Sequence, residues 1–579
     1  MENIEIAKIF HDIADLLEIK NENPFRVRSY RTAARIIEEL PENLKSIVER
    51  DESQLEDIRG IGKSIHEKIV EIVRTGKCRF HEELLKQLPP TLLELLDVSG
   101  IGPKKVQLLY KELGIQSVSD LEKAAKGHKI HELTGMGEKT EENILKAIEN
   151  FKAGKGRFKL GLAMTYAAPL LEYLKEIDGV LQVSEAGSLR RRKETIGDID
   201  ILVACKKGSP VMDRFTAYTE VKDVLAKGDT KSTVILRCGL QADVRVLDKK
   251  SYGAALQYFT GSKAHNIAIR DRAKKMGLKL SEYGVFDEKD RFVAGETEGD
   301  VYKAVGLVCI PPELRENTGE IESALNNKLP HLIDVKDIKG DLHVHTVETD
   351  GANTIDEIID AAIKMDYEYI AITDHSKAVS VAHGLDEKRV LKQIEEIDKL
   401  NKRLTAHGLR LTVLKGIEVD IKVDGSLDLD KDVLKRLDVV VGAVHSRFNM
   451  AEEEMTARII KAISSGLVHI IAHPTGRLIN ERQPYAVNMT EIMKSCKKHN
   501  VILELNSYPD RLDLNDIHCK LAKEMGVLVA ISTDSHSKFH LDNIRFGIYT
   551  ARRGWLEKKD VLNTRPLKEV MQILKKIIG

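Results

Sequence analysis

The chain has 579 residues, 42% of them hydrophobic and 31% charged, with a formal net charge of -1. That length exceeds what one hydrophobic core serves and predicts three or four domains, while the ordinary composition excludes a fibrous or disordered class. No apolar run approaches the ~18 residues of a membrane span, and "MENIEIAKIFHDIADLLEIK" reads as an amphipathic helix rather than a secretory signal, so the expected location is the cytoplasm, without membrane attachment. The cysteines Cys78, Cys205, Cys238, Cys309, Cys496 and Cys519 form no C-x-x-C pair, which argues against a disulfide framework or a structural zinc knuckle. The middle third is mildly basic, a weak signal by itself. Histidine divides the chain more sharply: 12 of 19 fall after residue 340.

Residues 1–150 predict helix after helix, with apolar spacing such as Ile4, Ile9, Ile13, Leu16 and Leu17. One pattern recurs: "IRGIGKSI" (58–65), "VSGIGPKK" (98–105) and "LTGMGEKT" (133–140). Paired glycines (Gly60 and Gly62, Gly100 and Gly102, Gly135 and Gly137) allow positive φ and close backbone approach, and the helix that follows aims free N–H groups at the same place. This is the helix-hairpin-helix pattern. A single copy also describes a glycine-terminated turn; the repetition favours contact with a DNA backbone without base reading.

From about residue 160 the pattern changes to mixed strands and helices, after a stretch, "FKAGKGRFKLG" (151–161), that reads as a hinge. In "AGSLRRRKETIGDIDILV" (186–203), period-2 geometry puts Asp198 and Asp200 on one strand face. A bare D-x-D also describes a solvated strand end. Gly187 and Ser188 before a basic run, and Asp243 on the later strand "QADVRVLD", suit a triphosphate pocket with carboxylates for two Mg2+ ions and in-line phosphoryl transfer.

At these motifs the chain resembles the family X DNA polymerases, similar to DNA polymerase beta, over residues 1 to about 322. "YFTGSKAHNIAIR" (258–270) resembles that family's nucleotide-binding segment and "PPELREN" (311–317) its palm-closing motif. The resemblance implies that Asp198, Asp200 and Asp243 hold the catalytic metals and that Gly187, Ser188, Arg191 and Gly197 meet the triphosphate. It further implies that Tyr258, Phe259 and Gly261 line the sugar while Asn266 and Arg270 reach the base pair. In "GIGKSIHEKIVEI", Lys68 matches the Schiff-base lysine of family members with 5'-deoxyribose-phosphate lyase activity, and Tyr30 and Arg31 match its phosphate-side partners. Ser64 stands where the family often has a second lysine, and a solvated helix lysine remains the equal alternative.

After the polar connector "NNKLPHLIDVKDIKG" (326–340), short apolar strands alternate with helices, the signature of a parallel α/β barrel or layered sheet. His343 and His345, Asp350, His375, Glu418, His445, His473, Asp534 and His536 sit at the ends of these strands, where such barrels assemble catalytic groups. Mixed imidazole and carboxylate donors suit Zn2+, Mn2+ or Fe2+. The set resembles the PHP (polymerase and histidinol phosphatase) domain, and all nine of its expected ligands are present. By that resemblance His343, His345, Glu418 and Asp534 hold one metal, Glu418, His445 and His473 a second, and Asp350, His375 and His536 a third, with Mn2+-dependent 3'-5' exonuclease activity implied. Arg511, in "SYPDRLDL", is a phosphate clamp or a structural residue.

The expected architecture is multidomain: an all-α helix-hairpin-helix N-terminal region (1–85, lyase-like; 86–160, DNA-binding), an α+β nucleotidyltransferase palm (161–250) and thumb (251–325), a linker (326–340), and a C-terminal α/β, distorted TIM-like PHP barrel (341–579). The expected partners are gapped or primer-template DNA and dNTPs, and the expected state is a monomer. A small-molecule phosphatase fused to a non-DNA nucleotidyltransferase, and a non-catalytic DNA-binding scaffold, are the competing readings.

Overall fold

The computed structural model describes residues 3–39, 44–58, 60–96, 98, 100–154 and 157–577. Arg59 and Ser99 of the first two hairpins, and Lys155-Gly156 of the hinge stretch, lie outside them. The chain forms two compact units, residues 1–155 with 480–482, and residues 156–479 with 483–579.

Among its described residues the first unit contains helices and turns and no strand. The buried stripe of its first helix is Ile6, Phe10, Ile13, Leu16 and Leu17, with Ile9 packed at the edge; the Ile4 side chain lies outside what the structure describes. A second core gathers Leu92, Leu95, Val106, Leu109, Leu121, Ile130 and Ile144. Helices α1 (Lys63–Thr75), α2 (Pro103–Leu113) and α3 (Glu138–Gly154) each follow a glycine hairpin. In each pair only the first glycine is left-handed, with φ of 97° at Gly60, 82° at Gly100 and 84° at Gly135. Gly62 and Gly102 are extended and cap α1 and α2. The two glycines therefore differ in role: one makes the turn and the other starts the helix.

The second unit holds a mixed five-stranded sheet. Its strands are β1 (Val180–Glu185), β2 (Asp198–Cys205), β3 (Val221–Lys227), β4 (Lys231–Leu236) and β5 (Gln241–Leu247), in the order β1-β2-β5-β4-β3. Only β2 and β5 run parallel, and that pairing sets Asp200 directly opposite Asp243. Ile199, Ile201 and Val203 are fully buried among the helix Leu160–Lys175 and its neighbours, so the apolar tail of β2 anchors the strand whose mouth carries the carboxylates. The short helix α4 (Gly187–Arg190) precedes β2. Beyond β5, helices α5 (Tyr252–Thr260) and α6 (Lys263–Lys275) pack with a three-stranded antiparallel sheet.

Seven parallel strands follow in consecutive order: β6 (Gly340–Val344), β7 (Tyr369–Ile372), β8 (Thr412–Asp420), β9 (Val439–Ala443), β10 (Ile470–Ile471), β11 (Ile502–Asn506) and β12 (Val529–Ser532). A bridge between Val344 and Ser535, with the His345 N–H donating to the Ser535 carbonyl at 2.8 Å, nearly closes the barrel. Both faces of these strands are covered, which is why they read as continuous apolar runs. The stretch 326–340 is no free tether: Ile333 and Ile338 are buried in the barrel's core, and Arg552 donates to the Ile333 carbonyl at 2.9 Å. The sequence showed its polar residues but not its two anchors.

Candidate active sites

The sheet site is built on the parallel pair β2 and β5. Asp198 and Asp200 are half-buried and Asp243 is buried. Burial, reinforced by Asp198 and Asp243, pushes the Asp200 carboxyl up to about 7, and burial with Asp243 also raises Asp198. Such crowding is what a divalent cation relieves. Lys231 lies 2.8 Å from Asp243 Oδ2, and Gln241 donates to Oδ1 at 3.1 Å. Gly187 is left-handed, and a Cβ there would come 2.3 Å from Asp200 Oδ2. The glycine read as making room for a triphosphate thus first makes room for the Asp200 carboxylate. Gly197 makes its closest approach to the Arg157 guanidinium, 3.4 Å from a would-be Cβ.

Ser188 lies on α4. Arg191 does not project freely: it donates to Glu316 at 3.0 Å and to the Thr260 carbonyl at 2.5 Å. Arg190 is shared between Glu298 and Thr260, and the fully buried Arg315 meets the same Glu298. Tyr258 and Phe259 stand edge to face, 5.1 Å apart, and Asn266 bridges the Tyr258 carbonyl and Gln257. Arg270 lies over the Tyr258 ring at 5.8 Å. A Cβ on Gly261 would come 3.1 Å from Arg191 Nη1, so the segment 258–270 closes directly on the arginine run.

The barrel site is denser. Three sets of ligand atoms each converge within 4.8 Å: His345, Asp350, His375 and His536; His343, His345 and Asp534; His375, Glu418 and His445. His473 joins through Glu418 Oε1 at 3.0 Å, the oxygen that His445 also approaches at 3.2 Å. The structure thus brings together all nine residues, and it makes His345 and His375 members of two sets each, where the resemblance implied Glu418 as the shared ligand. Asp198, Asp200 and Asp243 form no set within that distance.

Several of these buried atoms make no well-formed hydrogen bond, namely His343 Nε2, both His345 nitrogens, Asp350 Oδ1, His375 Nδ1 and Glu418 Oε2, although His375 Nδ1 stands 2.7 Å from Glu418 Oε2 and His345 Nε2 3.2 Å from Asp534. Buried polar atoms are normally satisfied, so convergent unsatisfied ones fit a centre for several metal ions. The electrostatics agree. Burial alone would depress His375, but Glu418 and Asp350 outweigh it and raise it to about 10, while His445 rises to about 9 beside Glu418 and Asp420. His345 falls to about 4 through burial and its neighbours His536 and His375. Arg511 Nε stands 3.8 Å from Asp534.

Sequence reasoning missed the residues that aim this set. Glu504, fully buried on β11, lies 2.7 Å from His343 Nδ1 and accepts the His473 backbone N–H at 2.7 Å. Asp420 holds His445 Nδ1 at 3.2 Å. Asn506 donates to Asp534 at 2.9 Å. The available signal was a lone acid inside the apolar run "VILELNS". Partners of this kind set tautomer and ring orientation.

Lys68 Nζ lies 3.2 Å from Ser64 Oγ and 5.4 Å and 6.0 Å from the Phe80 and Tyr30 ring centroids. Glu67, Glu71, Arg79 and Glu83 line the same pocket. Arg31 is committed to Asp15 and Glu18 at 2.8 and 2.6 Å.

Comparison with known families matches the described architecture segment by segment. A helix-hairpin-helix domain matches residues 1–78, a SAM-like helix-hairpin-helix tandem 92–150, a DNA polymerase beta palm 164–255, a DNA polymerase beta thumb 255–316 and a PHP domain 341–508. The chain is 39% identical over 579 residues to "DNA polymerase/3'-5' exonuclease PolX" of Bacillus subtilis (strain 168), covering all of both chains. It is also similar to a probable phosphatase of Thermoanaerobacter sp. (strain X514), 29% identical over 41% of this chain and 96% of the relative. A probable phosphatase of Proteus mirabilis (strain HI4320) is 27% identical over 39% and 91%. Among the described residues no helix is long and apolar enough to cross a membrane.

Proposed function

Because the chain belongs to the family X DNA polymerases that carry a C-terminal PHP domain, we propose that it fills short gaps during DNA repair and trims the same 3' ends with its barrel. It is a DNA polymerase and 3'-5' exonuclease. The observation that carries the repair reading is the coexistence in one compact unit of the in-register carboxylates Asp200 and Asp243 and the nine-residue barrel centre. That pairing gives one chain a site for adding a nucleotide and another for removing one.

Asp198, Asp200 and Asp243 are the residues to hold two Mg2+ ions, which supply charge to polarise the phosphoryl oxygens and favour an attacking 3'-hydroxyl. Ser188 and Gly187, with Arg191 and Gly197, bind and orient the triphosphate; Tyr258, Phe259 and Gly261 bound the sugar, and Asn266 and Arg270 face the base pair. In the barrel, His343, His345, Asp350, His375, Glu418, His445, His473, Asp534 and His536 hold up to three ions, Mn2+ or Zn2+, and Arg511 binds a phosphate. Gly60, Gly62, Gly100, Gly102, Gly135 and Gly137 seat the DNA backbone. The expected substrates are gapped or primer-template DNA and dNTPs, the expected setting is the cytoplasm, and the working unit is a monomer.

Primer extension and degradation on a one-nucleotide gap, in Mg2+ against Mn2+, tests this reading. Asp198→Ala with Asp200→Ala should abolish incorporation and leave Mn2+-dependent degradation; His343→Ala should do the reverse. Loss of both activities in either variant would sink the two-site assignment. The match to probable phosphatases along most of their length favours a second barrel activity, removal of a 3'-phosphate, which a 3'-phosphorylated primer would report. Lys68 is the amine for a lyase step, supported by its place against Phe80 and Tyr30 and opposed by its acidic pocket. Borohydride trapping on a 5'-deoxyribose-phosphate end should mark wild type and not Lys68→Ala.

A further inference from the structure

The third glycine hairpin differs from the others in what flanks it. Before it, a short turn carries His128 and His131; after it, α3 presents Glu141. Glu141 is only 3% exposed, and its Oε2 accepts the backbone N–H groups of Ile130 at 2.8 Å and His131 at 3.1 Å. Those bonds pin the carboxylate and leave Oε1 for side chains. Two imidazoles converge on that oxygen, His128 Nδ1 at 2.9 Å and His131 Nδ1 at 3.4 Å. His128 reaches it from a left-handed backbone, φ 54°, with a side chain 77% exposed.

We infer that His128, His131 and Glu141 form a divalent transition-metal site, of the kind that takes Zn2+, which clips the two sides of the third hairpin together. The three donor atoms all lie within 4.8 Å of one another. A tetrahedral ion about 2.0–2.1 Å from each donor needs them about 3.3–3.4 Å apart, so small side-chain movements complete the geometry. Two imidazoles and a carboxylate are a borderline-soft set that suits Zn2+ over Mg2+ or Ca2+. Binding uses the Nδ1 lone pairs and one lone pair of Oε1. Each imidazole then carries its proton on Nε2, any further proton leaves to solvent, and water fills the open side. The first hairpin is a natural control, since it has a single pair of the same type, Glu56 with His66 at 3.0 Å, too few donors to hold an ion.

The clip spans "LTGMGEKT", so it should fix the hairpin backbone in the form that meets a phosphate. That consequence rests on the reading of the hairpins as DNA contacts; the ion itself does not. The test uses the full chain, saturated with Zn2+ and freed of unbound metal, with bound zinc counted per molecule in wild type, His128→Ala, His131→Ala and His66→Ala. The first two variants should each lose one equivalent and His66→Ala none. Binding to a gapped duplex should weaken at least threefold in those two variants with Zn2+ present, and the difference should vanish in chelator. Because His128 is exposed, its removal leaves the fold standing, so equal zinc in wild type and His128→Ala would overturn the site. Loss of the ion without any change in DNA binding would uphold the site and remove the hairpin-contact reading beneath its role.

Discussion

Arg553, at the end of the barrel helix α7 (Ile544–Arg553), lies 3.1 Å from Glu316, the carboxylate that also accepts from Arg191 at 3.0 Å. Arg553 further donates to the Arg191 carbonyl at 2.8 Å and pairs with Asp516 at 2.7 Å. A barrel residue therefore helps set the position of an arginine assigned to the triphosphate. Arg553→Ala should raise the KM for dNTP about tenfold, the equivalent of ~1.4 kcal/mol, with 3'-5' degradation little changed. Steady-state kinetics of both activities decide it: unchanged dNTP KM would mean that Arg553 is an interdomain fastener alone.

Gly187 is the position where the sheet site tolerates least. An alanine there meets both a left-handed φ of 59° and Asp200 Oδ2 at 2.3 Å. Displacing a catalytic group by about 1 Å costs on the order of 100-fold. Gly187→Ala should lower kcat for incorporation by about that factor while DNA binding and barrel activity persist, as measured by single-turnover extension and by degradation of a labelled primer.

Glu504 should matter to the barrel as much as a ligand does. Glu504→Gln keeps the shape but changes what His343 Nδ1 faces, and partners of this kind are worth about 10–100-fold in metal affinity or activity. The expected outcome is a loss of that size in exonuclease rate, partly recovered at high Mn2+, with extension in Mg2+ unaffected. A variant as active as wild type across the Mn2+ titration would show that His343 is oriented without it.

Acid stability should carry the mark of Glu557, which joins the stretch before the barrel to its last turns. It lies 2.9 Å from Lys523 and accepts the His331 N–H at 3.3 Å. Burial works against its charge, but hydrogen bonds from Lys559 and Lys523 outweigh that and hold it down at about 2. A depressed carboxylate stabilises fully above its unfolded value and loses that contribution as pH falls through the folded one. With solvent screening the contribution is about 1 kcal/mol. Wild type should exceed Glu557→Gln in stability at neutral pH, and the gap should close between about pH 4.5 and 2, as followed by urea unfolding.

The division between sequence and structure follows the range of the contacts involved. Strand alternation placed Asp198 and Asp200 on one face because side chains repeat every second residue, and the barrel donors could be named because they lie at or beyond the ends of apolar strands and match the motifs that carry the PHP resemblance. The hairpins were legible because glycine pairs recur, although only the backbone showed that the two glycines of a pair take different conformations.

What the sequence by itself determined is the inventory: the residue types proposed for two sites, their order and the elements that carry them, read from local periodicity and turn chemistry together with the family resemblance. Only the tertiary structure decided which histidines are shared and which distant residues hold them. His345 and His375 each serve two ligand sets, Glu504 reaches His343 across 161 residues, and Arg553 meets Arg191 across 362. Such contacts depend on strand order, barrel closure and the packing of the barrel on the sheet. No local spacing encodes them, because chain closure over those distances is set by the summed burial of whole layers rather than by neighbouring residues.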